Sequence, residues 1–211
     1  MKYINQTEYW VCPETGEHRY DLNDMYSDFE DPWGCSTKVN SLSNRFFLEL
    51  LFPSGVTYDS FLDLGCGLGH MTNLINLKNQ FRGKGVGCDI SSIAVSKAKR
   101  QYPDIEFLEF DILKNYWKTS QVFELIIVSE VLWQISNRID TVMQKIKIML
   151  KDQGKLGIHQ YFPRKQDYFK SEIDGESDFF EILNRYGFQT LEHVTVHSDE
   201  GKVILLLLEN I

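Results

Sequence analysis

The sequence predicts an α/β fold: a mostly parallel sheet with helices on both faces, ending in an antiparallel hairpin. Three observations predict it. From residue 59 onward, short apolar runs alternate with helical patterns, as strand–helix–strand units do. The first apolar run ends in a glycine-rich bend, "LGCGLGH", that leads straight into a helical pattern. The last two apolar runs are separated only by "SDEG", too short for a crossover and suited to a hairpin.

The elements follow in order. "VNSLSNRFFLELLF" (39–52) reads as a helix with Leu42, Phe46, Phe47, Leu50 and Leu51 on one face, stopped by Pro53. "SFLDLG" (60–65) is the first strand, and 69–79 the helix after it. "GKGVGCDI" (83–90) is the second strand, followed by a helix over 92–101. "IEFLEFD" (105–111) and "ELIIVSE" (124–130) are the third and fourth strands. "RIDTVMQKIKIML" (138–150) is a helix, because Ile139, Val142, Met143, Ile146 and Met149 keep the three-four spacing. "GKLGIHQYF" (154–162) is the fifth strand, and "SDFFEILNRYGF" (177–188) a helix closed by Gly187. "QTLEHVTVH" (189–197) and "KVILLLLE" (202–209) form the hairpin. In such sheets ligands bind beyond the carboxyl ends of the strands, near the reversal of strand order. The positions that matter are therefore 65–69, 89–90, 111–112, 129–133 and 159–163.

Composition narrows the class. The 211 residues, 43% apolar and 25% charged, suit one globular domain with a real core. The longest apolar run, "VILLLL" (203–208), is strand length, far short of the roughly 18 residues of a membrane span, so no membrane partner is expected. "MKYINQTEYW" lacks the apolar core of a secretory signal, and a cytoplasmic setting is expected. A net charge of −8 opposes a polyanionic partner, and Lys97, Lys99 and Arg100 fall on an outer helix, so no nucleic acid is expected. Cys12, Cys35, Cys66 and Cys88 contain no C-x-x-C pair; Cys66 and Cys88 read as small, buried and reduced.

The glycine bend must be assigned a ligand. A triphosphate loop needs G-x-x-x-x-G-K-[ST], which is absent. A dinucleotide bend needs G-x-G-x-x-G, whereas Gly65, Gly67 and Gly69 stand at alternate positions with Cys66 between the first two. Asp63, two residues before the bend, would repel a pyrophosphate and attract an ammonium, directly or through backbone and water. Asp89, at the end of the second strand, can accept both hydroxyls of a ribose, with Ile90 beside it. Asp111 can accept an adenine amine while the N–H of Ile112 meets a ring nitrogen and its side chain lies against the ring face. Three acids without a clustered cation suit a ligand with hydroxyls, an ammonium and a sulfonium. Each acid also has a plainer reading: Asp63 as a brace of the bend, Asp89 as a cap of the next helix, Asp111 as a strand-end acid.

"LDLGCGLGHMT", "GCDIS", "FLEFDI" and "LIIVSEVLWQI" resemble the class I S-adenosylmethionine-dependent methyltransferases over about residues 42–211. That resemblance implies a Rossmann-like methyltransferase fold of seven strands with an antiparallel last strand, S-adenosyl-L-methionine as cofactor and S-adenosyl-L-homocysteine as product. "DPWG" (31–34) and "VSEVLW" (128–133) are similar to the NodS-type N-methyltransferases, which methylate the amino group of a glucosamine in a chitooligosaccharide. The domain organisation expected is an aromatic and acidic lid over 1–40 and a methyltransferase domain over 41–211.

Methyl transfer asks for a positioned acceptor and exclusion of water, with a general base for a hydroxyl and a neutral form for an amine. Candidates stand at the ends of the fourth and fifth strands: Ser129, Glu130, Trp133, His159 and Tyr161. Glu130, with its neighbour Ser129, is also placed against the cofactor. His159 can instead be a core residue, and His70 a cap; His18 could also reach the site. The fourth strand lacks [DN]-P-P-[YFW], which lowers nucleobase and protein-amide acceptors. No Asp/Asn/His cluster suggests a metal, and none is expected. Trp33, Trp10, Tyr26 and Tyr20 could cover adenine or the sulfonium methyl. Glu14, Glu17, Asp21, Asp24, Asp28, Glu30 and Asp31 favour a cationic acceptor. The function expected is methyl transfer to nitrogen or oxygen of a small molecule, a sugar or amino sugar. The rivals are a protein or peptide methyltransferase of the same fold, and a non-catalytic module that binds the cofactor. The glycine spacing and Asp63 disfavour a nicotinamide oxidoreductase.

Overall fold

The computed structural model describes residues 21–79, 83–117, 121–164, 173 and 175–211. Tyr3, Tyr9, Trp10, Cys12, Glu14, Glu17, His18 and Tyr20 lie outside these residues.

The described residues form one seven-stranded sheet flanked by helices. Its strands are β1 (Ser60–Leu64), β2 (Lys84–Asp89), β3 (Glu106–Glu109), β4 (Phe123–Ser129), β5 (Leu150–Pro163), β6 (Phe188–His197) and β7 (Gly201–Asn210). The helices are α1 (Leu22–Asp28), α2 (Cys35–Lys38), α3 (Leu42–Leu51), α4 (His70–Lys78), α5 (Ser92–Gln101), α6 (Ile139–Met149) and α7 (Glu176–Arg185). The strand order is β3-β2-β1-β4-β5-β7-β6. All pairs from β3 to β5 are parallel, and β7 runs antiparallel to both β5 and β6. The order reverses between β1 and β4, so the ends of those two strands flank the natural ligand crevice.

Two cores follow from the alternation of side chains along each strand. On one face Leu62, Ile126, Val128, Leu156, Ile158, Ile204 and Leu206 pack with α6 and α7. On the other, Phe61, Leu125, Ile127, Leu205 and Leu207 pack under Phe47, Leu50 and Leu51 of α3. The unbroken apolar run 203–208 is thus a strand buried on both sides.

Three departures from the sequence reading are informative. Helix α3 buries Phe47, Leu50 and Leu51, but Leu42 is 56% and Phe46 44% exposed. A Cβ at Gly157 would meet Leu51 and Phe47, and Phe47 also meets the ring of His159, so α3 runs antiparallel to β5. Its first turn therefore projects toward the carboxyl edge and has no sheet beneath it. The helix expected over 138–150 is α6 preceded by a 3-10 segment, Leu132–Arg138, with a kink at Ile135. Finally, residues 21–38, where the sequence shows little periodicity, form α1 and α2. Met25 and Tyr26 of α1 pack with Leu68 and Ala94, and Leu22, Phe29, Trp33 and Ile93 close around them. Helix α1 docks through Asn23, whose side-chain oxygen accepts from Ser91 Oγ at 2.8 Å, and Lys97 donates to the Phe29 carbonyl at 3.0 Å.

Candidate active site

The bend after β1 is held by β2. The N–H groups of Gly65 and Cys66 both donate to the Cys88 carbonyl, at 2.7 and 2.9 Å. Gly65 has φ +79° and Gly67 φ +53°. A Cβ at Gly65 would stand 2.2 Å from Cγ2 of Val131, and one at Gly67 2.9 Å from the hydroxyl of Tyr26. Both positions therefore require glycine for backbone angle and for space. Gly69 ends the bend as the N-cap of α4. Cys66 is buried with Val95, Ala98 and Phe107. Burial holds the thiols of Cys66 and Cys88 well above the ordinary cysteine range, which keeps them protonated and inert.

The acids take different parts. Asp63 is 1% exposed and accepts from the Thr72 hydroxyl at 2.6 Å. Burial raises its carboxyl to about 6, with Asp89 adding and the Thr72 bonds opposing. Asp63 braces the end of β1 against α4. Asp89 Oδ2 accepts from Gly67 N–H and Oδ1 from Ser91 N–H, both at 2.9 Å. Burial raises its carboxyl as well, against the pull of these amides and that of Ile90. Ile90 is 46% exposed directly beside it. Asp111 Oδ1 accepts from Leu113 N–H at 2.9 Å and Oδ2 pairs with Lys114 at 3.2 Å. The Ile112 side chain, expected against a ring face, is instead buried in the α6–α7 core, because the loop turns it inward; its N–H is what it can present.

Across the crevice stands Glu130, first residue after β4. Its backbone is left-handed, φ +59°, which strains a residue with a Cβ. The carboxylate is held by three consecutive residues of β5. His159 Nδ1 donates to Oε1 at 3.0 Å; Gln160 Nε2 and Tyr161 N–H donate to Oε2 at 3.3 and 3.1 Å. The Glu130 side chain is 39% exposed and that of His159 only 8%. Nε2 of His159 is buried and has no hydrogen-bond partner among the described residues. Tyr161 contributes its N–H to Glu130; its phenol lies over Gly201, and burial, with Glu200 and Glu130, raises its pKa. Ser129 pairs with His159 in the sheet and is half-buried.

The sequence matches the family described as methyltransferase domain over residues 58–200. The chain belongs to this family. No curated protein matches the chain in sequence. Among solved structures, the N-methyltransferase NodS from Bradyrhizobium japonicum WM9, in complex with S-adenosyl-L-homocysteine, is 21% identical with a TM-score of 0.71, covering 89% of this chain and 98% of its own. A SAM-dependent methyltransferase from Aquifex aeolicus is 18% identical with a TM-score of 0.63, over 83% and 98%. The [4+2]-cyclase SpnF is 17% identical with a TM-score of 0.65, over 80% and 81%.

The residues of this methyltransferase fit S-adenosylmethionine. The bend offers backbone bare of side chains at Gly65, Gly67 and Gly69. Asp89, held in place by backbone amides, keeps acceptor capacity for a ribose hydroxyl. Ile90 gives an apolar face for a purine. Over the bend, Trp33 Nε1 donates to the Tyr26 hydroxyl at 3.1 Å. Asp31 Oδ2 accepts from Ser36 N–H at 2.8 Å and Oγ at 2.6 Å, and its charge is felt by His70. Packing around its sulfur, then Asp31, push the Cys35 thiol up to about 11, with Glu130 and Asp63 adding and Lys38 opposing. The D-P-W-G segment is thus tied to Tyr26 through Trp33 and to the start of α2 through Asp31. No group of three or more His, Cys, Asp or Glu gathers to hold a metal among the described residues. No helix among them is long and apolar enough to cross a membrane. Sequence reasoning missed Gln160, Thr72, Asn23 and Val131. Gln160 is invisible because strict alternation puts it opposite His159 and Tyr161; Thr72 is visible only as a polar residue on the buried side of α4.

Proposed function

We propose that this chain transfers a methyl group from S-adenosylmethionine to nitrogen or oxygen of a small molecule, a sugar or amino sugar. Glu130 carries the reading: a strained, part-exposed carboxylate clamped by three donors, across the strand-order reversal from the glycine bend. Bound S-adenosylmethionine supplies a methyl on a sulfonium, which leaves as a neutral thioether. Gly65, Gly67 and Asp89 hold and orient it, with Trp33 above, while Ile90, Asp111 and Ile112 select the base. Glu130 takes a hydrogen bond from the attacking amine or hydroxyl and accepts the proton that it sheds. His159 is a positioning residue, fixing the carboxylate from behind. Residues 21–40, docked on α5 and over the bend, act as a lid that keeps water from the reacting atoms. The N-methyltransferase NodS supports an amine acceptor.

The SpnF cyclase supports a second reading, a cofactor-binding module without methyl transfer. Thermal stabilisation by S-adenosylhomocysteine, set against NAD and ATP, tests the cofactor. Product formation with a panel of amino sugars and sugar nucleotides tests the transfer. Stabilisation by S-adenosylhomocysteine alone, then turnover of an amino sugar, is the expected result. Stabilisation by NAD instead would overturn the proposal, and binding without turnover of any acceptor would favour the second reading.

A further inference from the structure

We propose that Lys145, on α6, is a positioning residue that sets the purine selectivity of the cofactor site. The inference rests on the cofactor reading above and concerns the loop after β3.

Lys145 is 9% exposed and is the one buried lysine or arginine among the described residues. Its ammonium donates to three carbonyls of a single loop: Ile112 at 2.6 Å, Leu113 at 3.3 Å and Asn115 at 2.9 Å. It also sits 4.7 Å from the centroid of the Tyr116 ring. No carboxylate pairs with it among the described residues. An ammonium has three donors, and all of them go to this loop. Burying a charge without a counter-charge is costly, and an apolar side chain of similar length would fill the same space more cheaply. The charge is therefore used for something that packing alone does not supply.

What it supplies is the direction of the loop's polar groups. Lys145 gathers the carbonyls toward α6. Asp111 gathers the amides: its Oδ1 takes Leu113 N–H at 2.9 Å, and its carbonyl takes Lys114 and Asn115 N–H at 3.2 and 2.8 Å. In Ile112–Asn115, Ile112 N–H is the one amide without an acceptor among the described residues. The loop is left with one donor, Ile112 N–H, next to one acceptor, Asp111 Oδ2, whose partner Lys114 is 81% exposed. That donor–acceptor pair matches the edge of a purine with an amine at C6 beside an unprotonated ring nitrogen. It mismatches a 6-oxo purine, whose edge has the opposite polarity. Remove Lys145, and the carbonyls of 112, 113 and 115 must find other donors by turning. Ile112 N–H then turns with them.

The test compares two ligands that differ only at that edge, S-adenosylhomocysteine and S-inosylhomocysteine, by calorimetric titration of the full chain and of Lys145→Met. The wild type is expected to favour the adenine ligand. Lys145→Met is expected to weaken S-adenosylhomocysteine by about tenfold or more, the loss of one well-made hydrogen bond, and to change S-inosylhomocysteine less than about twofold. Lys145→Gln, whose amide keeps two donors, should lie between, and it carries the test if the methionine variant does not fold. An unchanged ratio in folded variants overturns the proposal, because a merely structural lysine would weaken both ligands together. A wild type that binds neither ligand would instead sink the cofactor reading, and this inference with it.

Discussion

The two halves of the crevice are built on different principles. Under the cofactor, the bend at Gly65–Gly69 and the acids at strand ends come from contiguous sequence, and the key contacts are main-chain amides. Facing the acceptor, a single carboxylate is assembled from separated segments: Glu130 after β4, its clamp from β5, and Phe47 of α3 against His159. In the proposed reaction the first half recognises a constant ligand through backbone. The second is made of side chains and can be changed without touching the first.

The largest expected effect breaks the cofactor half. Gly65→Ala forces a Cβ against Val131 at a backbone angle that L side chains avoid, for a cost of about 3 kcal/mol. Chemical denaturation should show that loss, with S-adenosylhomocysteine binding abolished. Because Val131 follows Glu130, Gly65→Ala should also disturb turnover. A variant with normal affinity and stability would show that the bend is not under this constraint.

Next comes the acceptor half. Glu130→Gln keeps size and loses charge; kcat should fall by about 10²-fold or more, the usual scale for a positioned proton acceptor. Affinity for S-adenosylhomocysteine should stay within about twofold if the halves are separable. Glu130→Gly should be equally inactive yet gain about 1 kcal/mol, because glycine relieves the left-handed strain. A glycine variant that is both inactive and less stable would mean that the clamp to β5 outweighs the strain.

This division also explains what could be read from sequence. Parallel βα units leave a period, and glycines and acids fall at its nodes, so β1 to β5, the bend, Asp89 and Asp111 were legible. Helix α1 was not, because its burial rests on Met25 and Tyr26 and a polar dock through Asn23, with too few apolar positions for a period. Helical spacing puts Leu42 and Phe46 on the apolar face of α3 with Phe47, Leu50 and Leu51, yet the two are exposed, because spacing shows which face is apolar and not how far along the helix that face is covered. The order of roles between Glu130 and His159 was equally hidden: both lie at strand ends, and only burial separates the exposed carboxylate from the histidine behind it.

A pH dependence sharpens the cofactor half. Burial holds the Asp63 carboxyl at about 6, above its ordinary 3.8. The folded state therefore binds this proton more tightly than the unfolded chain. Its contribution to stability is full below 3.8 and is lost, about 3 kcal/mol of it, as pH rises through 6. The α-ammonium of the ligand, held near the bend, favours the ionised form, so binding releases the proton. Affinity for S-adenosylhomocysteine should rise up to about tenfold between pH 5 and 7. Asp63→Asn should flatten that rise and, since Asp89 remains, isolate the contribution of Asp63. An equally steep profile in the variant would assign the proton elsewhere.

The smallest effect decides to which half the segment 21–40 belongs. Trp33 Nε1 donates to the Tyr26 hydroxyl, which stands over Gly67, while the same segment anchors Asp31 on Ser36 at the start of α2. Trp33→Phe keeps the ring and removes one hydrogen bond of about 1 kcal/mol. For a chain of 211 residues the melting temperature should fall by no more than about 4 °C. If the lid serves the cofactor, S-adenosylhomocysteine should dissociate roughly fivefold faster while the acceptor KM holds. If instead the acceptor KM rises and cofactor dissociation is unchanged, the D-P-W-G segment is part of the acceptor wall. The backbone half would then end at Tyr26, and the boundary between the constant and the variable parts of the crevice would run between Tyr26 and Trp33.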